Sequence, residues 1–306
     1  MLKQLRGSLL LLTAAIIWGT AFVAQSEGMN YVEPFTYNAI RTLIGGIILI
    51  PVILMFRLGR RHSAAEPPAS SRKATVLGGI CCGIVLFIAS SLQQCGIVLT
   101  TAGKAGFVTA LYVVIVPLLA VFLHRKPPKA IWFCVAAAVA GFWLLCVHGG
   151  FTINRGDLLM LGCALFFAIH IMTVDHFCAQ QADGMVMACI QFFTAGILMT
   201  AVMLIFEHPQ LPDIFAAKGT ILYAGIMSSG VAYTFQILGQ RETPPTLATL
   251  LMSLESVFAA LSGWLILHEH LSVSEFTGCA LVFAAVIAAQ LLTARASNSS
   301  DRKESS

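Results

Sequence analysis

Among the 14 acidic residues of this 306-residue chain, Glu255 is the one that falls deep inside an apolar stretch. It lies about ten residues, or roughly 15 Å at 1.5 Å per helical residue, from the inner end of that stretch. A charge at such depth costs about 2.5 to 3.5 kcal/mol on insertion scales, which turns it toward a protein interior. Three roles fit a carboxyl there: taking up and releasing a proton, contacting a substrate, or hydrogen bonding in a purely structural way. Arg41 is the basic residue inside a span, about 9 Å below its outer end by helix rise. It either lines a cavity or snorkels to pair with Glu27, Glu33 or lipid headgroups.

Uncharged polar residues form a second pattern. Ser229, Tyr233, Gln236 and Gln240 are spaced so that an α-helix carries all four on one face, as it does Phe87, Ser90, Ser91 and Gln94 earlier in the chain. Such stripes line a cavity or bind helices together, at about 0.6 kcal/mol per interhelical hydrogen bond. Trp18, Tyr112, His170 and Gln191 are further cavity candidates, although a lone aromatic or histidine also serves as plain packing. Lys104, at the outer mouth of its span, either draws anions or marks the interface.

Other chemistries find little support. His268 and His270 stand two apart, so a helix points them away from each other, and no metal site is expected at His268, Glu269 and His270. The aspartates at 157, 175, 183, 213 and 301 fall in loops, helix ends or the tail, which leaves no paired acids for an intramembrane enzyme. No GxxxxGK[ST] motif appears, so neither a nucleotide nor any other cofactor is expected. Nine cysteines scattered through apolar segments read as small core residues.

The elements that must position these residues are set by composition. Hydrophobic residues make up 58% of the chain and charged ones 10%, against about 25% charged in soluble proteins. Mean hydropathy is +0.86. Apolar stretches at 8–26, 35–56, 74–95, 104–123, 130–147, 157–175, 185–206, 219–239, 245–267 and 273–293 each approach the ~20 residues that span a bilayer. None alternates as a barrel strand does, so the expectation is an all-α integral membrane protein of ten helices.

Basic residues orient it. Lys3, Arg6, Arg57, Arg60, Arg61, Arg72, Lys73, Arg125, Lys126, Lys129, Arg241, Arg295, Arg302 and Lys303 fall on one side, against Lys104, Arg155 and Lys218 on the other. The positive-inside rule then places both termini in the cytoplasm of a cell (inner or plasma) membrane. The net charge of +4 therefore implies nothing about nucleic acid, and the partners expected are the lipid bilayer and a small-molecule substrate, with no nucleic acid.

Self-comparison reveals a duplication. Gly7 to Trp18 (GSLLLLTAAIIW) overlies Gly156 to Phe167 (GDLLMLGCALFF), Arg41 falls opposite Gln191, Gly46 opposite Gly196, Gln94 opposite Gln236, and LHRK from Leu123 over LHEH from Leu267. The expected units are 7–149 and 156–294, with 295–306 a cytoplasmic polar tail. Five helices per unit is an odd number, so the second must enter the membrane from the opposite side. Inverted repeats of this kind recur in secondary transporters that rock around a site near the midplane. Ala137 with Gly141, and Gly278 with Ala285 and Ala289, offer small surfaces for close helix packing that could also serve a homodimer.

The segments IIWGTAF from Ile16, NAIRTLIGG from Asn38, TAGKAGFVTALYVVIVP from Thr101 and TLLMSLESVFAALSGWLILHE from Thr249 resemble the EamA-domain permeases of the drug/metabolite transporter superfamily. The likeness covers essentially the whole chain. Ser256 stands where the family often has proline, and the first half lacks an acid matching Glu255. The resemblance implies a basket of ten helices around a central cavity lined by helices 1 to 4 and 6 to 9, with helices 5 and 10 peripheral. It further implies alternating-access transport, in the outward direction, of a small metabolite such as an amino acid or related polar solute. A non-transporting membrane partner or sensor is the alternative.

Overall fold

The computed structural model describes residues 2–61, 71–99, 102–122, 129–146, 155–266 and 273–304. Seven helical stretches among them are long and apolar enough to cross a bilayer, and the shorter apolar helices Val108–Phe122, Ile131–Gly141 and Phe276–Ala289 bring the spans to ten. The first three are α1 (Leu2–Gly28), α2 (Pro34–Arg61) and α3 (Arg72–Leu99). The fourth is interrupted, as α4 (Ala102–Ala110) and α5 (Tyr112–Phe122), and the fifth is α6 (Lys129–Cys146). The sixth and seventh are α7 (Arg155–Ala179) and α8 (Gly184–Phe206), followed by the short α9 (Leu211–Ala216).

The eighth span is composite: α10 (Lys218–Tyr223), a π-helix over Ala224–Ala232, and α11 (Tyr233–Gln240). The ninth is interrupted like the fourth, as α12 (Pro245–Met252) and α13 (Glu255–Ile266). The tenth, α14 (Val273–Glu304), carries its helix on through the segment expected to be a polar tail. Helices are the form this composition takes in lipid, where each backbone amide needs a partner within its own segment.

The packing repeats itself when the first five spans are exchanged for the last five. α3 lies on α7 as α1 lies on α11, α3 on α8 as α2 on the π-helix, and α1 on α13 as α7 on α4 and α5. α2 with α8 and α6 with α14 pair across the exchange itself. Matching glycines allow matching close approaches. A methyl group on Gly239 would stand 2.9 Å from the Gly7 carbonyl oxygen, and one on Gly96 would stand 3.3 Å from that of Gly156. Leu11 crowds the first crossing and Met160, its counterpart in the second half, crowds the other.

The small-residue surfaces on α6 and α14 are used within the chain. A methyl at Gly141 would come 2.6 Å from Val282 Cγ2 and 2.8 Å from the Gly278 carbonyl, while Ala285 and Ala289 are buried. That close contact, suggested above as a possible dimer surface, is where the fifth and tenth spans meet. Large apolar side chains such as Phe133, Phe276 and Ile287 face outward, where lipid surrounds them at no cost.

One cross-half contact has no sequence signature. The Glu207 carboxylate, at the end of α8, accepts bonds from the Phe35 and Thr36 backbone N–H groups at 2.7 and 2.6 Å and from Thr36 Oγ1 at 2.7 Å. It thereby caps the start of α2 with an acid from the other half, and satisfies donors that the first turn of a helix leaves free. The start of α8 is capped locally, by Asp183 Oδ1 accepting from Met185 and Val186.

Candidate functional site

A narrow cavity, with about 40 Å³ of room for the centres of water-sized molecules, lies between the halves. Trp18, Phe22 and Gln25 reach it from α1, Arg41 from α2, Gln93 from α3, Thr109 from α4 and Tyr112 from α5. The second half contributes Phe167 and Ile171 from α7, Ser228 from the π-helix, Tyr233 and Gln236 from α11, Met252 from α12 and Glu255 from α13. No described residue of α6, α8 or α14 lines it.

The interruptions in the fourth and ninth spans position its acid. Leu111 is a turn between α4 and α5, and Ser253 with Leu254 separates α12 from α13. Tyr112 and Glu255 are therefore the first residues of their half-helices, and the Tyr112 hydroxyl donates to Glu255 Oε1 at 2.9 Å. Ser256 Oγ donates to the Gly106 carbonyl at 2.9 Å, so a second bond joins the broken spans. That bond comes from the position where the resembling family often has proline. Glu255 also stands in the first turn of α13, where the helix dipole favours negative charge.

Arg41 is held differently. Its Nε donates to Asn38 Oδ1 at 2.8 Å, and Asn38 Nδ2 donates to the Ser90 carbonyl of α3 at 2.9 Å. The guanidinium carbon lies 5.9 Å from the centre of the Tyr37 ring, within cation–π range. Arg41 is only 4% exposed, so its side chain does not reach the headgroups. No carboxylate among the described residues lies within 4.0 Å of it; the salt bridge present there joins Arg6 and Glu242 at 3.9 Å. The pairing with Glu27 or Glu33 allowed by the sequence is not the arrangement found.

Tyr233 stands at the aromatic centre of the cavity. Its ring meets Trp18 edge-on at 4.9 Å between centroids, Phe192 at 5.6 Å and His170 at 6.0 Å. His170 and Gln191 themselves are fully buried behind this lining and bond to each other, Nε2 to Oε1, at 3.1 Å. Gln94 is also fully buried outside the lining, and Gln93 reaches the cavity instead. Ser229 packs against Gly45 of α2, while Ser228 faces the cavity. The π-helix accounts for that change: its i to i+5 bonding sets Ser228 above Tyr233, where α-helical spacing points to Ser229.

Gln240 reaches the Ile171 carbonyl at 3.3 Å and so ties α11 to α7. Lys104 belongs to the first turn of α4, but its side chain lies outside the described residues, as do His268, Glu269 and His270. Among the described residues no group of three His, Cys, Asp or Glu side chains could hold a metal. Gln25 carries a sequence signal of its own: Trp18, Phe22 and Gln25 are spaced four and three apart, on one helix face, as Ser229, Tyr233 and Gln236 are.

The EamA-like transporter family model matches residues 5–147 and again 154–289. The chain belongs to that family, within the drug/metabolite transporter superfamily, and is a multi-pass membrane transporter. It is 29% identical over 290 residues to an uncharacterized transporter of Archaeoglobus fulgidus, spanning 94% of this chain and 87% of that one. It is 27% identical over 292 residues to the threonine/homoserine exporter RhtA of Escherichia coli, spanning 92% and 89%. It is 27% identical over 287 residues to the protein PecM of Dickeya dadantii, spanning 90% of each. A solved crystal structure shares the fold with a TM-score of 0.76 at 21% identity, over 94% of this chain and 98% of the other.

Proposed function

We propose that the protein exports a small polar metabolite, an amino acid or close relative, across the cell membrane by alternating access coupled to proton entry. The observation that carries this reading is the joining of Tyr112 and Glu255 at the breaks of the fourth and ninth spans, beside the cavity. Interrupted helices with a titratable group at the break, between inverted halves, suit a site whose two access paths open in turn. The units 7–149 and 156–294 act as the two moving bodies. Export and the amino acid class draw support from the similarity to a threonine/homoserine exporter. The basic residues support cytoplasmic termini.

In this scheme Glu255 carries the proton, Tyr112 holds the carboxyl in place, and Arg41, Trp18, Tyr233 and Gln236 contact the solute. His170 and Gln191 brace the ring of Tyr233 from behind. Uptake of radiolabelled amino acids into proteoliposomes, with and without an acidic lumen, tests it. An acidic lumen should accelerate uptake in the wild type. Glu255→Gln should abolish that acceleration while unlabelled-for-labelled exchange continues. Uptake indifferent to the gradient in both proteins would remove proton coupling.

A further inference from the structure

We infer that Arg41 is a receptor for a free carboxylate, so the solute must present one, and that Asn38 is its positioning residue. This rests on the transport reading for its biological meaning, but the chemistry stands on the cavity alone. A guanidinium has five N–H donors in a rigid planar fork. Asn38 occupies the one on Nε, and the Ser90 carbonyl of α3 fixes Asn38 in turn. The Nη groups remain, carried by a side chain that lines the cavity with no carboxylate among the described residues within 4.0 Å. A buried cation with no carboxylate in contact is unfavourable, and an anionic ligand on two parallel N–H groups relieves it.

Two further observations point to a ligand of mixed polarity. Trp18 Nε1 is a buried donor with no partner, and Gln236 Oε1 is a buried acceptor with none, although both residues line the cavity. The donor suits a carboxylate beside Arg41, and the acceptor suits an N–H of the same solute. A doubly charged anion such as phosphate is disfavoured, because Arg41 is the one Lys or Arg among the lining residues and Glu255 adds an acid to the same cavity. A zwitterion meets all of these groups at once.

The test uses the full chain in lipid nanodiscs and reads ligand-induced thermal stabilisation and calorimetric Kd. The probes are the standard L-amino acids, each beside its α-amide, with inorganic phosphate as a further probe. The wild type should bind at least one amino acid about tenfold or more tightly than its amide, the worth of a charge-assisted pair. In Arg41→Gln that ratio should fall to about one. Asn38→Ala should weaken the acid by about three- to tenfold and leave the amide alone, which a merely structural role would not do. Arg41→Lys serves if Arg41→Gln fails to fold, and should retain only part of the preference. Equal affinity for acid and amide in the wild type, binding of phosphate alone, or binding of no amino acid each overturns the inference. Acid-selective binding without flux would instead remove the transport reading and leave this one standing.

Discussion

At the residue scale the hydroxyl of Tyr112 is the group most open to a clean experiment. Tyr112→Phe keeps the buried ring and removes only the donor to Glu255 Oε1. A hydrogen bond to a charged group contributes about 1.5 to 3 kcal/mol, so initial exchange rates in proteoliposomes should fall about tenfold or more if the bond orders the carboxyl during transport. Melting temperature measured alongside separates this from unfolding. Tyr112, Arg41 and Glu255 were legible in the sequence because an ionisable or phenolic group inside an apolar span has few reasons to be there. The roles of Gln94 and Ser229 were not. Each is displaced from the cavity by one neighbour, Gln93 or Ser228, and a one-residue rotation about a helix axis is finer than hydropathy resolves.

At the scale of elements, the joints between the halves matter more than the helices. Glu207 supplies α2 with a cap that its own preceding residues do not provide. Glu207→Ala leaves those N–H groups unpaired and should lower stability by about 1 to 2 kcal/mol, read as a fall in melting temperature in detergent. Glu207→Gln should lose less, since its amide oxygen still accepts one bond. The existence and order of the spans were legible from ~20-residue apolar runs. The breaks after Ala110 and Met252 and the π-helix at Ala224–Ala232 were not, because a span with an interruption has the same hydropathy as one without. Nor was the Glu207 cap legible, since it joins residues 171 and more positions apart.

For the molecule as a whole, ten spans require both termini on one side, and the proposed orientation makes that side the cytoplasm. Reporter fusions active only inside the cell should light at both ends, and those active only outside should be silent at both. One silent and one active terminus would contradict the span count. The duplicated plan was legible from aligned segments such as GSLLLLTAAIIW and GDLLMLGCALFF, and the paired glycine crossings are its physical expression. What alignment alone does not convey is that the halves pack chiefly on each other.

A protein built from two identical five-helix chains would have to place every residue in the cavity twice. Joined in one chain, the two copies are free to diverge, and here they have: Arg41 faces no second arginine and Glu255 no second glutamate. The cavity therefore carries one basic and one acidic side chain at different places, so its two sides differ in chemistry.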